Sequence, residues 1–568
     1  MGEQKLTGYP SIDKPWLKYY SEETLNYPFR KSTVYWFLED KVKDCLSKTA
    51  ISYFGKRISY QTLLDKVKTV AAEFSALGVK AGDIVAVALP NIPENIYVIY
   101  ALNYVGAIAD MIDLRSKGDV LQNYLSNSHA KVAVICDLFA ENTLEVLAKT
   151  EISTVIVASP YESMPFLVRA FAGKNRCKKY SAHIIPWKAF VSGKHIIPKS
   201  FTDSDTVAFI AHTSGTTSTP KGVMLTNHNV NALINQYLSI GFEYDDSDIM
   251  LNQVSPFLAY WFLSVHLPFS MNMSVTLLPE YRPDKFAENL KKYKPNHVFA
   301  GPGDWGNVLE NAHIKADYSN LKTLASGSDK LDETTKRKIE AVLQSEGCKN
   351  SILEGYGMTE CCSAACTQLP WNLVYGSVGV PLPNNSVCIY DNESSAELSY
   401  GEIGEVCISG ETLMAGYYGN IQATDEAIRI HSDGKRWLHS GDLGYIDENG
   451  NVFLAGRIKR IIVRYDGIKV SPTCVENVLL KHKAVSACCV VGAPDVEHGR
   501  GQMPVAYVVI NADDIVDDLF GELSKLCSTE LSDKYLPSVY VKIDALPLTP
   551  NGKVDYRALE REAEKQRN

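Results

Sequence analysis

The stretch His212-Thr213-Ser214-Gly215-Thr216-Thr217-Ser218-Thr219-Pro220-Lys221-Gly222-Val223 follows directly on an apolar run at residues 206–211. That run has the length and composition of a buried strand, so the stretch reads as a loop at a strand end. Its small and hydroxyl-bearing side chains leave backbone N–H groups free to point at an anion. Lys221 adds a full positive charge. A polyphosphate needs this combination. The loop is not a Walker A loop, because GxxxxGK[ST] requires Gly where Pro220 stands. A solvated turn would explain the Ser and Thr content but not its ending in Pro-Lys-Gly. His212 reads as a packed or hydrogen-bonding residue rather than a catalyst.

Outward from the loop, apolar runs of strand length alternate with helical stretches. Residues 84–89 read as a strand after the turn Ala81-Gly82-Asp83, and 93–106 as a helix. Further strands fall at 131–136, 154–158, 274–278 and 297–300. Strands separated by helices form parallel sheets covered on both faces. Residues 385–409 change texture to short strands with Gly turns, an antiparallel unit. The polar segment Gly456-Arg457-Ile458-Lys459-Arg460 marks a boundary. Beyond it, strands at 487–491, 505–510 and 539–543 and a helix at 516–531 amount to one small domain.

The phosphate loop resembles the signature of the adenylate-forming superfamily, which includes acyl-CoA synthetases, peptide-synthetase adenylation domains and firefly luciferase. Ser218 departs from it, standing where that signature carries Gly. Further motifs follow in the family's order. Tyr356-Gly357-Met358-Thr359-Glu360 is similar to the YGxTE motif, in which Thr contacts the ATP phosphates and Glu helps hold Mg²⁺. A hard cation prefers such a carboxylate. Trp437-Leu438-His439-Ser440-Gly441-Asp442 resembles the ribose-binding motif, with Asp442 accepting from the ribose hydroxyls and Arg457 supporting it. Ser326-Gly327-Ser328 matches the adenine-contacting segment loosely. Pro550-Asn551-Gly552 is a turn that presents Lys553, which the resemblance assigns to bridging the substrate carboxylate and the α-phosphate. Gly467 falls in the segment that receives pantetheine, and Lys459 at the hinge.

The resemblance implies an α/β fold. A large N-terminal domain, residues 1–458, would hold stacked α/β subdomains and a small β-barrel-like unit. A small mobile α+β C-terminal domain, 459–568, would carry Lys553. Thr213, Ser214, Gly215, Thr216, Thr217, Lys221, Gly327, Tyr356, Gly357, Asp442, Arg457 and Gly467 would bind nucleotide or coenzyme. Lys553, Thr359, Glu360 and Lys221 would act in catalysis. Phe257, Tyr260, Trp261, Phe299 and Gly301 would line a largely apolar acyl pocket. No Asp stands in residues 256–262 to pair with an α-ammonium, which disfavours an amino acid. Ala259 occupies the position where many CoA ligases carry His.

The bulk numbers agree with this reading. A chain of 568 residues is too long for one core. A net charge of −9 without a basic stripe argues against nucleic acid. Thirteen cysteines, Cys361, Cys362 and Cys366 among them, match no zinc spacing and read as free thiols of a reducing cytoplasm. Residues 251–279 carry no Asp, Glu, Lys or Arg but are broken by polar residues, so they read as buried strands and a helix, not a membrane span. Residues 164–172 are a candidate for weak membrane-surface contact, with packing on their own domain as the bland alternative. Gly301-Pro302-Gly303-Asp304-Trp305-Gly306 fits GxGxxG, but Ser326 stands where a dinucleotide site needs an acidic residue.

The function so implied is ATP-dependent, Mg²⁺-assisted activation of a fatty or aryl acid to acyl-AMP, then transfer to coenzyme A: an AMP-forming acid–thiol ligase. The alternative is a stand-alone adenylating enzyme that loads a carrier-protein phosphopantetheine.

Overall fold

The computed structural model describes residues 6–29, 31–113, 115–147, 149–166, 168, 184–213, 220–391, 393–511, 517–548 and 553–567. Three sheets build the large N-terminal part. The first runs in the order Gly416–Tyr417, Gly222–Thr226, Val207–His212, Ile108–Met111, Ile84–Ala88, Val132–Cys136, Thr154–Ala158, Ile184–Pro186. It is parallel except at the end holding Gly222–Thr226 and Gly416–Tyr417. The second has nine strands, and its centre is parallel: Ile352–Tyr356, Thr323–Ser326, His297–Ala300, Ile249–Asn252, Ser274–Leu277 and Thr49–Tyr53.

The helix Pro93–Val105 shows why the two sheets form one body. Pro at its first position and Gly106 at its end set its limits. Gly106 has φ 80°, and a side chain there would strike the Phe201 ring at 2.6 Å. Twelve of its residues are buried, so it is covered by protein on nearly every side. Its Tyr97 and Tyr100 share a core with Phe209 of the first sheet and Val275 of the second. The uncharged stretch follows its expectation. It folds as buried strands flanking a π-helix, Phe262–His266, and a short α-helix, Leu267–Ser270. No described helix is long and apolar enough to cross a membrane.

The third sheet is antiparallel throughout. It includes Ser386–Asp391, Gly404–Ser409, Arg436–Ile446 and Val452–Arg457. A turn at Ile458–Arg460 leads to the smaller C-terminal part, where Val485–Pro494, Gln502–Ile510 and Val539–Lys542 form a sheet. The first two of these strands outrun their sequence limits. Pairing carries them through Gly492 and Pro494, residues that mask a strand in sequence. The helix expected at 516–531 is described as Leu519–Glu530. Val516 and the turn 550–552 lie outside the described residues.

Candidate active site

The anion loop joins two antiparallel strands, not a strand and a helix. Val207–His212 pairs with Gly222–Thr226, His212 opposite Gly222. The Thr213 N–H donates to the Lys221 carbonyl at 3.1 Å and closes the loop's base. Ser214, Gly215, Thr216, Thr217 and Ser218 lie outside the described residues. His212 Nε2 is 2.6 Å from Asp110 Oδ1, and its ring meets Tyr124 edge-on at 4.5 Å.

Lys221 extends over the Tyr417 ring, 4.7 Å from the centroid. The Tyr417 hydroxyl donates to Glu360 Oε1 at 2.7 Å. Strand pairing brings them together, since Gly416–Tyr417 adds onto Val223 and Met224 beside the loop. Thr359 and Glu360 sit half-buried on the turn Thr359–Cys361. Gly357, just before it, has no room for a side chain, because a Cβ would lie 2.1 Å from the Ser363 carbonyl oxygen. Tyr417 carries no spacing or composition signal of its own. Only the sheet edge identifies it.

A second cluster forms on the third sheet. Asp442 and Arg457 are register partners on neighbouring strands, and Arg457 Nε is 2.9 Å from Asp442 Oδ1. The Tyr356 hydroxyl donates to Asp442 Oδ2 at 2.9 Å. Burial pushes the Asp442 carboxyl above its ordinary range, while Arg457, Tyr356 and Lys553 pull it back. Lys553 reaches this place from the C-terminal part. Burial depresses its ammonium below the usual lysine value, opposed by the charges of Asp329, Asp442 and Glu360 and aided by Arg457. One lysine therefore feels both clusters. Asp329 is a neighbour that the sequence did not indicate.

The candidate acyl residues divide. Tyr260 and Phe299 meet edge-on at 5.9 Å. Gly301 and Gly327 follow the paired strand ends Ala300 and Ser326. A Cβ on Gly327 would lie 3.2 Å from the Tyr260 hydroxyl, and one on Gly301 would lie 3.8 Å from the Gly327 carbonyl. These four residues share one place at the C-terminal ends of parallel strands, where open α/β sheets bind ligands. Phe257 instead lines a small void with Val87, Leu89, Met111 and Ile112, and Arg115 lies 5.0 Å from its ring centroid. Trp261 is fully buried and donates to Asn91 Oδ1 at 3.1 Å. Asp304 also went unmarked. It accepts from the Gly301 N–H at 2.8 Å and from Gln253 Nε2 at 2.7 Å, and burial raises its carboxyl to about 6. Asp304 thus caps the helix Pro302–Glu310, so the GxGxxG stretch offers its N-terminus to its own carboxylate.

Three candidates stand apart. Lys459 is exposed on the turn Ile458–Arg460. Gly467 has φ 82° in the turn before Lys469–Val470, and the Lys469 ammonium pairs with Glu393 at 2.9 Å. Cys361, Cys362 and Cys366 are buried free thiols whose pKa burial raises, as expected of packing residues.

The same architecture recurs in known proteins. A long-chain-fatty-acid–CoA ligase of Bacillus subtilis is 28% identical, covering 97% of this chain and 98% of its own. A 4-coumarate–CoA ligase of Petroselinum crispum is 28% identical over 90% of each chain. The crystal structure of an anthranilate CoA ligase with anthranoyl-AMP superposes with a TM-score of 0.81 at 19% identity, over 94% of this chain and 98% of that one. At that identity the likeness is one of fold. Residues 474–553 match the AMP-binding enzyme C-terminal domain. Residues 38–418 match the AMP-binding enzyme family, to which this chain belongs.

Proposed function

We propose that this protein is an AMP-forming acid–thiol ligase that converts a carboxylic acid, ATP and coenzyme A to acyl-CoA, AMP and pyrophosphate. The observation that carries the reading is the placement of Lys553, whose ammonium feels the charges of Asp329, Asp442 and Glu360.

The first step joins two anions, so positioning and charge neutralisation supply most of the catalysis. The acid's carboxylate oxygen attacks the α-phosphorus, and the bond to pyrophosphate breaks. Lys221 and the Thr213–Lys221 loop would hold the phosphates. Lys553 would bridge the attacking carboxylate and the α-phosphate, and Thr359 would bind a phosphate oxygen. Asp442 accepts from the ribose hydroxyls, its geometry set by Arg457 and Tyr356. The donor set suits Mg²⁺, since Glu360 is a hard oxygen ligand whose partner Tyr417 is a neutral hydroxyl. Bound there, the ion would neutralise phosphate charge. In the second step the coenzyme A sulfur attacks the mixed anhydride carbonyl and AMP leaves, with no enzyme nucleophile.

The domain division lies at residues 458 and 459 in this reading. Arg457 is tied to Asp442 of the large part. Arg460 Nη2 reaches Glu476 at 2.5 Å and the Val490 carbonyl at 3.1 Å in the small part. Ile458 and Lys459 lie between these two anchors, so Lys459 is the pivot for turning Gly467 toward the thiol step. The acid is largely apolar. Tyr260 and Phe299 support this, and so do the acids named for the relatives, long-chain fatty and 4-coumaric.

A panel of fatty and aryl acids, assayed for pyrophosphate release with and without coenzyme A, tests the reading. Acyl-CoA formation with one class of acid is expected. Pyrophosphate release unchanged by coenzyme A, with acyl transfer to a carrier protein instead, would overturn the coenzyme A assignment.

A further inference from the structure

The acyl residues include one hydroxyl that neither half-reaction uses. Tyr260 sets its ring edge-on against Phe299, with 5.9 Å between centroids, and Phe299 meets Tyr237 at 6.4 Å. Phe299 stands opposite Ala325 on the neighbouring parallel strand. Side chains alternate along a strand, so the face that carries Ala325 continues to Gly327. These two small residues let the tyrosine lie close to backbone. A Cβ at Gly327 would be 3.2 Å from the Tyr260 oxygen and 3.3 Å from its Cζ. The ring is therefore held from two sides, by Phe299 and by the glycine. Tyr260 is half-buried, and its hydroxyl has no hydrogen-bond partner among the described residues. A phenylalanine would fill the same place without giving up the hydrogen bonds that water makes to a free hydroxyl.

The residues after Gly327 put this oxygen near the reacting groups. Ser328 takes a left-handed φ of 74°, and Asp329 follows it. Asp329 is the strongest of the charges that act on Lys553. The Tyr260 hydroxyl thus lies against a backbone position two residues from the carboxylate that Lys553 feels. That is the carboxylate end of the acyl site and not its apolar depth. Burial also raises the Tyr260 hydroxyl well above the ordinary tyrosine value, so it keeps its proton and can only donate to an anion.

We propose that the Tyr260 hydroxyl donates a hydrogen bond to one carboxylate oxygen of the acid and leaves the other oxygen free to attack the α-phosphorus. The inference rests on the ligase reading above. Lys553 would hold the carboxylate from the nucleotide side and Tyr260 from the acyl side. The oxygen that Tyr260 holds becomes the carbonyl oxygen of the mixed anhydride, so the contact can persist into the thiol step. The contact is with the one group that all acid substrates share, so it is indifferent to the shape of the acyl group.

The test is Tyr260→Phe, which keeps the ring and removes only the oxygen. Binding of benzoate, 4-coumarate and decanoate is measured by calorimetry on the full-length protein loaded with α,β-methylene-ATP. Each acid that binds the wild type should bind the variant about 10- to 150-fold more weakly, the range for a hydrogen bond to a charged group. The factor should be the same for every acid, and the affinity for the nucleotide should not change. Unchanged acid affinity, or a loss that varies with the acyl group, would overturn the proposal. A loss that varies would make Tyr260 a packing residue. Acids that bind the wild type but release no pyrophosphate from ATP would defeat the ligase reading, whereas the hydroxyl contact is judged on the affinities alone. No wild-type binding of any of the three acids would overturn both.

Discussion

The ammonium of Lys221 lies 4.7 Å from the centroid of the Tyr417 ring. The same tyrosine's hydroxyl binds Glu360. The ring is thus a spacer that keeps the loop's cation and the candidate metal carboxylate close without letting them neutralise each other. A direct Lys–Glu pair would have to be broken before phosphate and Mg²⁺ could bind.

Tyr417→Phe should keep the ring under Lys221 and remove the hydrogen bond to Glu360. A hydrogen bond to a charged group contributes about 1.5–3 kcal/mol, or roughly 10- to 150-fold. The loss is expected in the Mg²⁺ dependence of pyrophosphate exchange, while Tyr417→Leu should also weaken ATP binding. Identical kinetics for wild type and Phe would refute the spacer role.

Lys553→Ala should lower adenylate formation by about 10²- to 10³-fold, the usual cost of removing one preorganised charge-stabilising group. Thiolation of a supplied acyl-adenylate should be nearly unchanged. Because burial depresses the Lys553 pKa, adenylation should fall with rising pH before the ordinary lysine value of 10.5. Equal loss of both steps would contradict the assignment.

Arg457 is the largest influence lowering the Asp442 pKa. Arg457→Ala should therefore raise that pKa further. A protonated Asp442 accepts ribose hydroxyls poorly, so the KM for ATP should climb on acidification, and at a higher pH in the variant than in wild type. Superimposable KM profiles would rule this out.

Lys459→Pro should stall rotation of the small domain. Single-turnover measurements are expected to show thioester formation slowed far more than adenylation. Unchanged thioester synthesis would remove Lys459 as the pivot.

His266 in the π-helix is fully buried against Tyr100, and burial lowers its pKa from 6.5 to about 3. Between those values the unfolded chain binds a proton that the folded chain refuses, so this residue costs stability as pH falls through that window. Buried Glu94, raised from 4.5 to about 7, acts oppositely, because its protonated folded form loses stability as pH rises from 4.5 to 7. His266→Gln should lower stability at neutral pH. It should also remove the acid-side loss, about 1.4 kcal/mol per pH unit relative to wild type between those pKa values. Urea midpoints measured against pH give the difference, and parallel curves would disprove it.

Local chemistry made much of this protein readable from its residues in order. The run at 206–211 had to be a strand, because an uninterrupted apolar segment of that length ends in a turn-forming loop. The strand 297–300 was legible for the same reason, with the limits it has in the fold. Short-range cues misjudged Val485–Pro494, where hairpin pairing with Gln502–Ile510 overrode Gly and Pro. They gave no sign of Tyr417, 57 positions from Glu360, or of Asp329 beside Lys553. Composition, periodicity and turn chemistry are properties of neighbours along the chain, and sequence by itself determined what depends on them: sheet class, loop chemistry and the order of motifs. Which side chains share a site depends on sheet edges, strand register and the docking of the C-terminal part. Packing of distant segments sets those, so only the tertiary structure decided that Lys221, Tyr417 and Glu360 meet, and that Lys553 joins Asp442 and Arg457.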